Sequence, residues 1–226
     1  MKAVLFDMDG VIFDSERAVL GVWREIAAQM GLEGIDGVFV DCVGVNKQLT
    51  EKIFHAAYPA LDFEEFDEAV RERFHALYSG GRLPVKPGAR EILAELKAAG
   101  IPLALASSTR SEAVRQELDE AGLLTFFDVV VGGDRVKRSK PDPEILLTAC
   151  SLLGAQPQDC YVIEDSFNGI RAAHAGGFHP VMVPDMLPPD AEMREKAEII
   201  VKDLFEAERY LKKILRETDG NKDTVV

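Results

Sequence analysis

Lys2 to Phe6 is a short apolar run, β-branched in part, cut off by Asp7-Met8-Asp9-Gly10; this pattern predicts a buried strand ending in a polar turn. The period then changes. Ala18, Val19, Val22, Trp23, Ile26, Ala27 and Met30 recur at helical spacing and stop at Gly31. Helical stretches continue to about residue 82, with Leu49, Ile53, Phe54 and Ala57 forming one stripe. Phe63, Phe66, Ala69, Val70, Phe74 and Leu77 form another, and no strand is expected in this block.

Ser79-Gly80-Gly81 reads as a flexible joint, and Pro84 and Pro87-Gly88 restart the chain. Beyond it, helices alternate with strands. Helix 89–99 stops at Gly100 and strand 101–107 follows, after which Thr109-x-x-Glu112 reads as a capping box opening a helix. Strand 129–131 comes next. Asp142-Pro143 then caps helix 143–153. Strand 161–164, helix 167–175, strand 180–183, a short strand near Ile199 and helix 203–216 complete the series. Alternation of this kind predicts an α/β protein with a doubly wound parallel sheet covered on both faces. The expected organisation is a core of residues 1–14 and 83–216, interrupted by an inserted helical cap at 15–82. Residues 217–226, almost without apolar content, are expected to be a disordered tail.

Composition narrows the partners. With 26 basic and 39 acidic residues the net charge is −13, so nucleic acid and anionic membranes are excluded as expected partners. Three widely spaced cysteines without a C-x-x-C pair argue against a disulfide framework or a zinc site and suit a reducing, cytoplasmic setting. Asp7 and Asp9 fall where a signal peptide needs its apolar run, and no apolar run reaches the ~18 residues of a membrane span. Oligomeric state is not readable from the sequence, and a monomer is compatible with it.

In open parallel sheets, ligands bind beyond the carboxyl ends of the strands. The first strand ends on Asp7 and Asp9, two apart and therefore on one side of an extended chain; one can act as nucleophile while the other handles protons. The second ends on Ser107-Ser108, hydroxyls beside a helix start that can cradle phosphate. Lys140, between a loop and a helix start, can neutralise phosphoryl oxygens and the attacking carboxylate together. The fourth strand ends on Glu164-Asp165, hard oxygen ligands suited to Mg²⁺. Each is ordinary alone; their order at four strand ends of one sheet singles them out.

The order D-x-D-G-V, S, K-P, E-D-S-x-x-G resembles the haloacid dehalogenase-like hydrolases, specifically the helical-cap branch of phosphosugar phosphatases and β-phosphoglucomutases. The resemblance covers about residues 2–214. It implies a Rossmann-like core of haloacid dehalogenase type. It also implies Asp7 as nucleophile, Asp9 as general acid/base, and Ser107 and Lys140 as holders of the phosphoryl group. Mg²⁺ would lie on Asp7, the Asp9 carbonyl and Asp165, with Glu164 a further or water-mediated ligand. Asn168 and Gly169 match the loop that shapes the metal site. The implied activity is Mg²⁺-dependent hydrolysis of a small phosphorylated metabolite, such as a sugar phosphate, through an aspartyl phosphate.

Two alternatives stand beside it. A β-phosphoglucomutase would carry a histidine where this chain has Val19, and two cap-loop cations near Val43 and Lys47, of which only Lys47 is kept. A non-catalytic phosphometabolite-binding relative would be expected to lack part of the acid–lysine set, which is intact here. Asn46, Lys47 and Arg110 are further candidates to meet substrate. No G-x-x-x-x-G-K-[ST] occurs, and Gly31, Gly34 and Gly37 do not follow a strand, so neither a P-loop nor a dinucleotide fingerprint is present. Hinges for cap closure are expected at Asp14–Ser15 and Ser79–Gly81.

Overall fold

The computed structural model describes residues 1–45 and 47–219, the stretch 215–219 as backbone only. Strand β1 (Ala3–Phe6) leads into helices α1 (Ser15–Met30), α2 (Ile35–Cys42), α3 (Lys47–Ala57) and α4 (Phe63–Tyr78). Alternation then sets in: α5 (Ala89–Ala98), β2 (Leu103–Ala106), α6 (Ser111–Glu120), β3 (Val129–Val131), α7 (Glu144–Leu152), β4 (Cys160–Glu164), α8 (Phe167–Ala175), β5 (His179–Met182), α9 (Ala191–Lys196), β6 (Ile199–Ile200) and α10 (Leu204–Asp219). The strands form one parallel six-stranded sheet in the order β3-β2-β1-β4-β5-β6. This is the expected α/β doubly wound sheet, with β1 central.

The twofold period of each strand builds two cores. Val4, Phe6, Leu103, Leu105, Tyr161 and Ile163 face the side covered by α5, α6 and α10. Their neighbours Ala3, Leu5, Ala104, Ala106, Cys160 and Val162 face Ile145, Leu146 and Ala149 of α7 and Ala172 and Ala173 of α8. Register places the chemistry: Phe6 pairs with both Leu105 and Ile163, so Asp7, Ala106 and Glu164 lie level at the carboxyl edge.

The block α1–α4 has an aromatic core of its own. Trp23 stands edge-on to Phe39 at 5.2 Å and Phe66 at 5.0 Å, and Phe54 is fully buried beside them. The two passages into and out of the block are tied together: Asp14 N donates to Pro84 O at 2.8 Å and Lys86 N to Ile12 O at 2.9 Å. No helix among the described residues is long and apolar enough to cross a membrane. Cys42, Cys150 and Cys160 are free thiols.

Three local expectations change. Leu49 is exposed rather than part of a buried stripe, because only Phe54 of α3 reaches the core. At the Ser79-Gly80-Gly81 joint the Glu120 carboxylate accepts from the amides of Gly80 at 2.9 Å and Gly81 at 3.0 Å. Thr109 does not cap a helix. Helix α6 starts at Ser111, whose amide donates to Asp134 Oδ1 at 2.6 Å. An acid 23 residues away takes the capping role, and the threonine turns elsewhere. Finally, the last helix runs to Asp219, three residues past its expected end, and the rest of the tail lies outside the described residues.

Candidate active site

Asp7 continues the β1 ladder, its amide donating to Ile163 O at 3.0 Å, which fixes the carboxylate at the centre of the sheet edge. The chain then folds back in a turn where Ile12 N and Phe13 N both donate to Met8 O. Gly10 takes φ +75° there, and a Cβ on it would lie 2.2 Å from Asp165 Oδ2. Glycine is thus required both by conformation and by the close approach of the acidic loop.

Lys140 is aimed by its own loop. The Glu144 carboxylate at the start of α7 accepts the amides of Lys137 and Arg138, each at 3.1 Å, and Asp142 N donates to Ser139 O. From this anchored turn the Lys140 ammonium, almost fully buried, reaches Asp7 Oδ1 at 2.5 Å, Glu164 Oε1 at 2.6 Å and Ala106 O at 3.1 Å. Burial alone would lower its pKa, but Asp7 and Glu164 outweigh that and hold it above the ordinary lysine value.

Glu164 is fully buried and fully engaged. Its other oxygen accepts Asp165 N at 3.1 Å, Ser166 N at 3.0 Å and Ser166 Oγ at 2.9 Å. Ser166 Oγ in turn accepts Gly169 N, capping α8. A Cβ at Gly169 would lie 1.8 Å from Glu164 Oε1, so the glycine makes room for the glutamate.

The electrostatics leave this edge short of positive charge. Burial pushes the Asp7 carboxyl up to about 8, opposed by Lys140 and reinforced by Glu164 and Asp9. Asp165 is raised well above the usual carboxylate range by burial and by Glu164 and Asp7. One oxygen from each of Asp7, Glu164 and Asp165 falls within 4.8 Å of the others. Three hard oxygen donors with a single buried lysine against them fit Mg²⁺ in donor type and in charge. Glu164 has both oxygens occupied by Lys140 and its own loop, which favours an outer role for it.

Asp9 is held differently. Its Oδ2 accepts Thr109 Oγ1 at 3.2 Å, so the residue expected to cap a helix instead orients the second acid. Burial raises Asp9, with the Ser15, Thr109 and Ser107 hydroxyls working the other way. Ser107 is fully buried, and its Oγ accepts Thr109 N at 3.0 Å. Ser15 Oγ is close enough to favour the Asp9 charge but lies outside hydrogen-bond geometry.

A cavity of about 250 Å³ opens beside Asp9, between the helical block and the sheet edge. Met8, Val19, Phe74 and Leu83 form its apolar wall, and Ser15, Glu16, Thr109 and Glu117 its polar one. Burial first, and Asp9 second, push both Glu16 and Glu117 up to about 7.

Asp7, Asp9, Ser107, Lys140, Glu164 and Asp165 therefore converge as expected. Ser108 and Arg110 are exposed, and neither lines the cavity. Lys47 is spent on the block's surface, 3.1 Å from both Glu64 and Asp67. Asn46 lies outside the described residues. Asn168, expected in the loop that shapes the metal site, sends its amide to Gly44 O of the helical block at 3.0 Å. Sequence reading missed Ser15, Glu16, Thr109 and Glu117; the first two follow the Asp-x-Asp turn directly, whereas Glu117 is brought in only by the packing of α6.

The haloacid dehalogenase-like hydrolase family matches residues 1–177. A phosphorylated carbohydrates phosphatase of Thermotoga maritima is 36% identical over 182 residues, covering 80% of this chain and 84% of the relative. A phosphoglycolate phosphatase of Nitrosospira multiformis is 31% identical over 227 residues, covering 94% and 96%. Among solved structures, a HAD-family hydrolase of Deinococcus radiodurans with bound phosphate and sodium superposes with a TM-score of 0.81 at 28% identity, over 94% of this chain and 96% of that one. With the sheet order, the four strand-end motifs and these relatives in agreement, the chain belongs to the haloacid dehalogenase-like hydrolases.

Proposed function

We propose that this hydrolase cleaves phosphate monoesters of small metabolites through a covalent phosphoryl group on Asp7. The observation that carries the reading is the unequal treatment of the two acids on one turn. Asp7 is clamped to a buried lysine, whereas Asp9 is poised on a threonine hydroxyl at the mouth of a cavity. A nucleophile needs the first environment and a proton carrier the second.

In this reading Asp7 attacks phosphorus while Asp9, protonated, gives its proton to the leaving alcohol oxygen. Asp9, now ionised, takes a proton from water, which attacks the phosphoryl group and frees Asp7. Lys140 and the Ser107 hydroxyl hold the phosphoryl oxygens. Glu164 aims Lys140 and shapes the 164–166 loop rather than meeting substrate. Asp7, the Asp9 carbonyl and Asp165 would hold Mg²⁺, with Glu164 as an outer ligand; bound there, the ion supplies charge neutralisation for the anionic reactants. Residues 15–82 act as a cap over a core of 1–14 and 83–216, and Asn168 fastens the cap loop to the core through Gly44. Ser108 and Arg110 would serve at the phosphate entrance, from the loop after β2.

The cavity gives a mutase little support: Val19 lines it where proton transfer would call for a histidine, and Lys47 is paired elsewhere. A binding-only protein would have no need of the Asp7–Lys140 pair. The test is phosphate release from a panel of phosphorylated sugars and other metabolites, with and without EDTA, alongside conversion of β-glucose 1-phosphate to glucose 6-phosphate. Metal-dependent release that vanishes in Asp7→Asn is the expected result. Isomerisation without release would point to the mutase.

A further inference from the structure

The polar wall of the cavity beside Asp9 consists of acids and hydroxyls, namely Asp9, Ser15, Glu16, Thr109 and Glu117, and among the described residues no lysine, arginine or histidine lines it. Neither Glu16 nor Glu117 has a hydrogen-bond or ion-pair partner among the described residues, although both side chains are partly withdrawn from solvent. Ser15 is 6% exposed, and its Oγ is a buried polar atom without a hydrogen-bond partner. Buried polar groups are normally satisfied, and an unpaired one costs roughly 1–3 kcal/mol. The unpaired, buried Ser15 Oγ, set in the same cavity wall as two carboxylates without a protein partner, therefore points to a ligand that offers hydroxyl groups.

The position says which part of the ligand sits there. The phosphoryl group belongs with Lys140 and Ser107 at the sheet edge, whereas the cavity borders Asp9, which hands its proton to the leaving oxygen. About 250 Å³ accommodates a small alcohol of several carbons and is below the ~300–1,000 Å³ of drug-sized pockets.

Resting on the phosphatase reading above, we propose that Ser15, Glu16 and Glu117 form the leaving-group subsite. They select phosphate monoesters of uncharged polyhydroxy alcohols over those whose alcohol carries a second anion. Carboxylates accept the hydroxyl hydrogens of such an alcohol, and Ser15 can accept or donate; a carboxylate or second phosphate in the same place would meet two acids and no counter-charge. The family does not decide this, since relatives of similar identity include a phosphorylated carbohydrates phosphatase and a phosphoglycolate phosphatase.

The test compares, at about pH 8 where both acids are largely ionised, kcat/KM for sorbitol 6-phosphate and glucose 6-phosphate with that for 6-phosphogluconate and fructose 1,6-bisphosphate, using p-nitrophenyl phosphate to read the phosphatase chemistry separately. One uncompensated like-charge contact in a partly desolvated site is expected to give the neutral esters an advantage of about tenfold or more. Glu16→Gln and Glu117→Gln should each contract that ratio by roughly threefold or more, as one of two like charges is removed. A wild-type ratio near one, or a preference for the anionic esters, overturns the proposal whether or not the variants fold. So does a ratio that neither variant moves. Hydrolysis of no ester at all, p-nitrophenyl phosphate included, overturns the phosphatase reading instead.

Discussion

Asp7 and Glu164, carboxylates on neighbouring strands, share one counter-ion: the Lys140 ammonium lies 2.5 Å from the first and 2.6 Å from the second. The parallel register makes this possible, since Asp7 and Glu164 both follow the paired residues Phe6 and Ile163. All three side chains are nearly inaccessible, so charge removed from this group is not replaced by water.

Replacing the lysine should therefore harm both stability and turnover. Lys140→Met leaves two buried acids without their cation, and breaking such a pair typically costs roughly 3–5 kcal/mol, reduced here by protonation of one acid. Urea unfolding should show a loss of this order, and phosphate release should fall by about 10²–10³-fold, the scale of removing a main electrostatic group. An active, fully stable variant would mean that Lys140 is not the group holding the edge together.

The metal-free protein should become less stable as pH rises. Asp7 titrates near 8 in the folded chain and at ~4 when unfolded, so its contribution is intact below about pH 4 and is lost as pH climbs through 8. Asp9 and Asp165 shift in the same direction. Asparagine mimics the neutral acid. In EDTA, Asp7→Asn should therefore gain stability over wild type progressively between about pH 5 and about pH 8, and added Mg²⁺ should raise wild-type melting most at the upper end. Denaturation scans across that range check the slope.

The glycines of the two acidic turns should not tolerate a methyl group. Gly10→Ala meets Asp165 Oδ2 at 2.2 Å on a left-handed backbone, and Gly169→Ala meets the buried Glu164 carboxylate at 1.8 Å. Each should cost about 1–3 kcal/mol, as overpacking usually does, and weaken Mg²⁺ binding measured by calorimetry. Gly21→Ala and Gly37→Ala, mid-helix positions whose added Cβ meets nothing within 4 Å, are the controls expected to leave Mg²⁺ binding unchanged and to hold or raise stability by up to ~1 kcal/mol.

Thr109→Val removes the hydroxyl that steadies Asp9 while keeping shape. A hydrogen bond to the ionised acid lowers its pKa, so losing it moves the pH–rate limb governed by Asp9 upward. The value of kcat should fall about tenfold, within the range of general acid–base contributions. An unchanged pH profile would assign Thr109 to structure alone.

Periodicity was enough to read the sheet, because each strand is flanked by turn residues and each covering helix carries an apolar stripe. Asp7, Asp9, Ser107, Lys140, Glu164 and Asp165 could be picked out because parallel topology delivers strand ends to one edge. Thr109 could not, since its fate depends on Asp134 having already taken the helix start. Glu117 was equally hidden: on its helix it looks like any half-exposed acid, and only the packing of α6 on the sheet brings it to the cavity that Asp9 borders. Lys47 is a cation that the sequence offers to substrate, and here it lies 3.1 Å from both Glu64 and Asp67 on the block's surface.

The central claim is that Asp7 carries the phosphoryl group. Intact-protein and peptide mass spectrometry after rapid acid quench, with Mg²⁺ and excess substrate present, tests it most directly. The account predicts a transient gain of one phosphoryl mass on the peptide containing Asp7, sensitive to hydroxylamine and missing in Asp7→Asn together with turnover. Steady phosphate release with no label on that peptide, or turnover that survives Asp7→Asn, would contradict it.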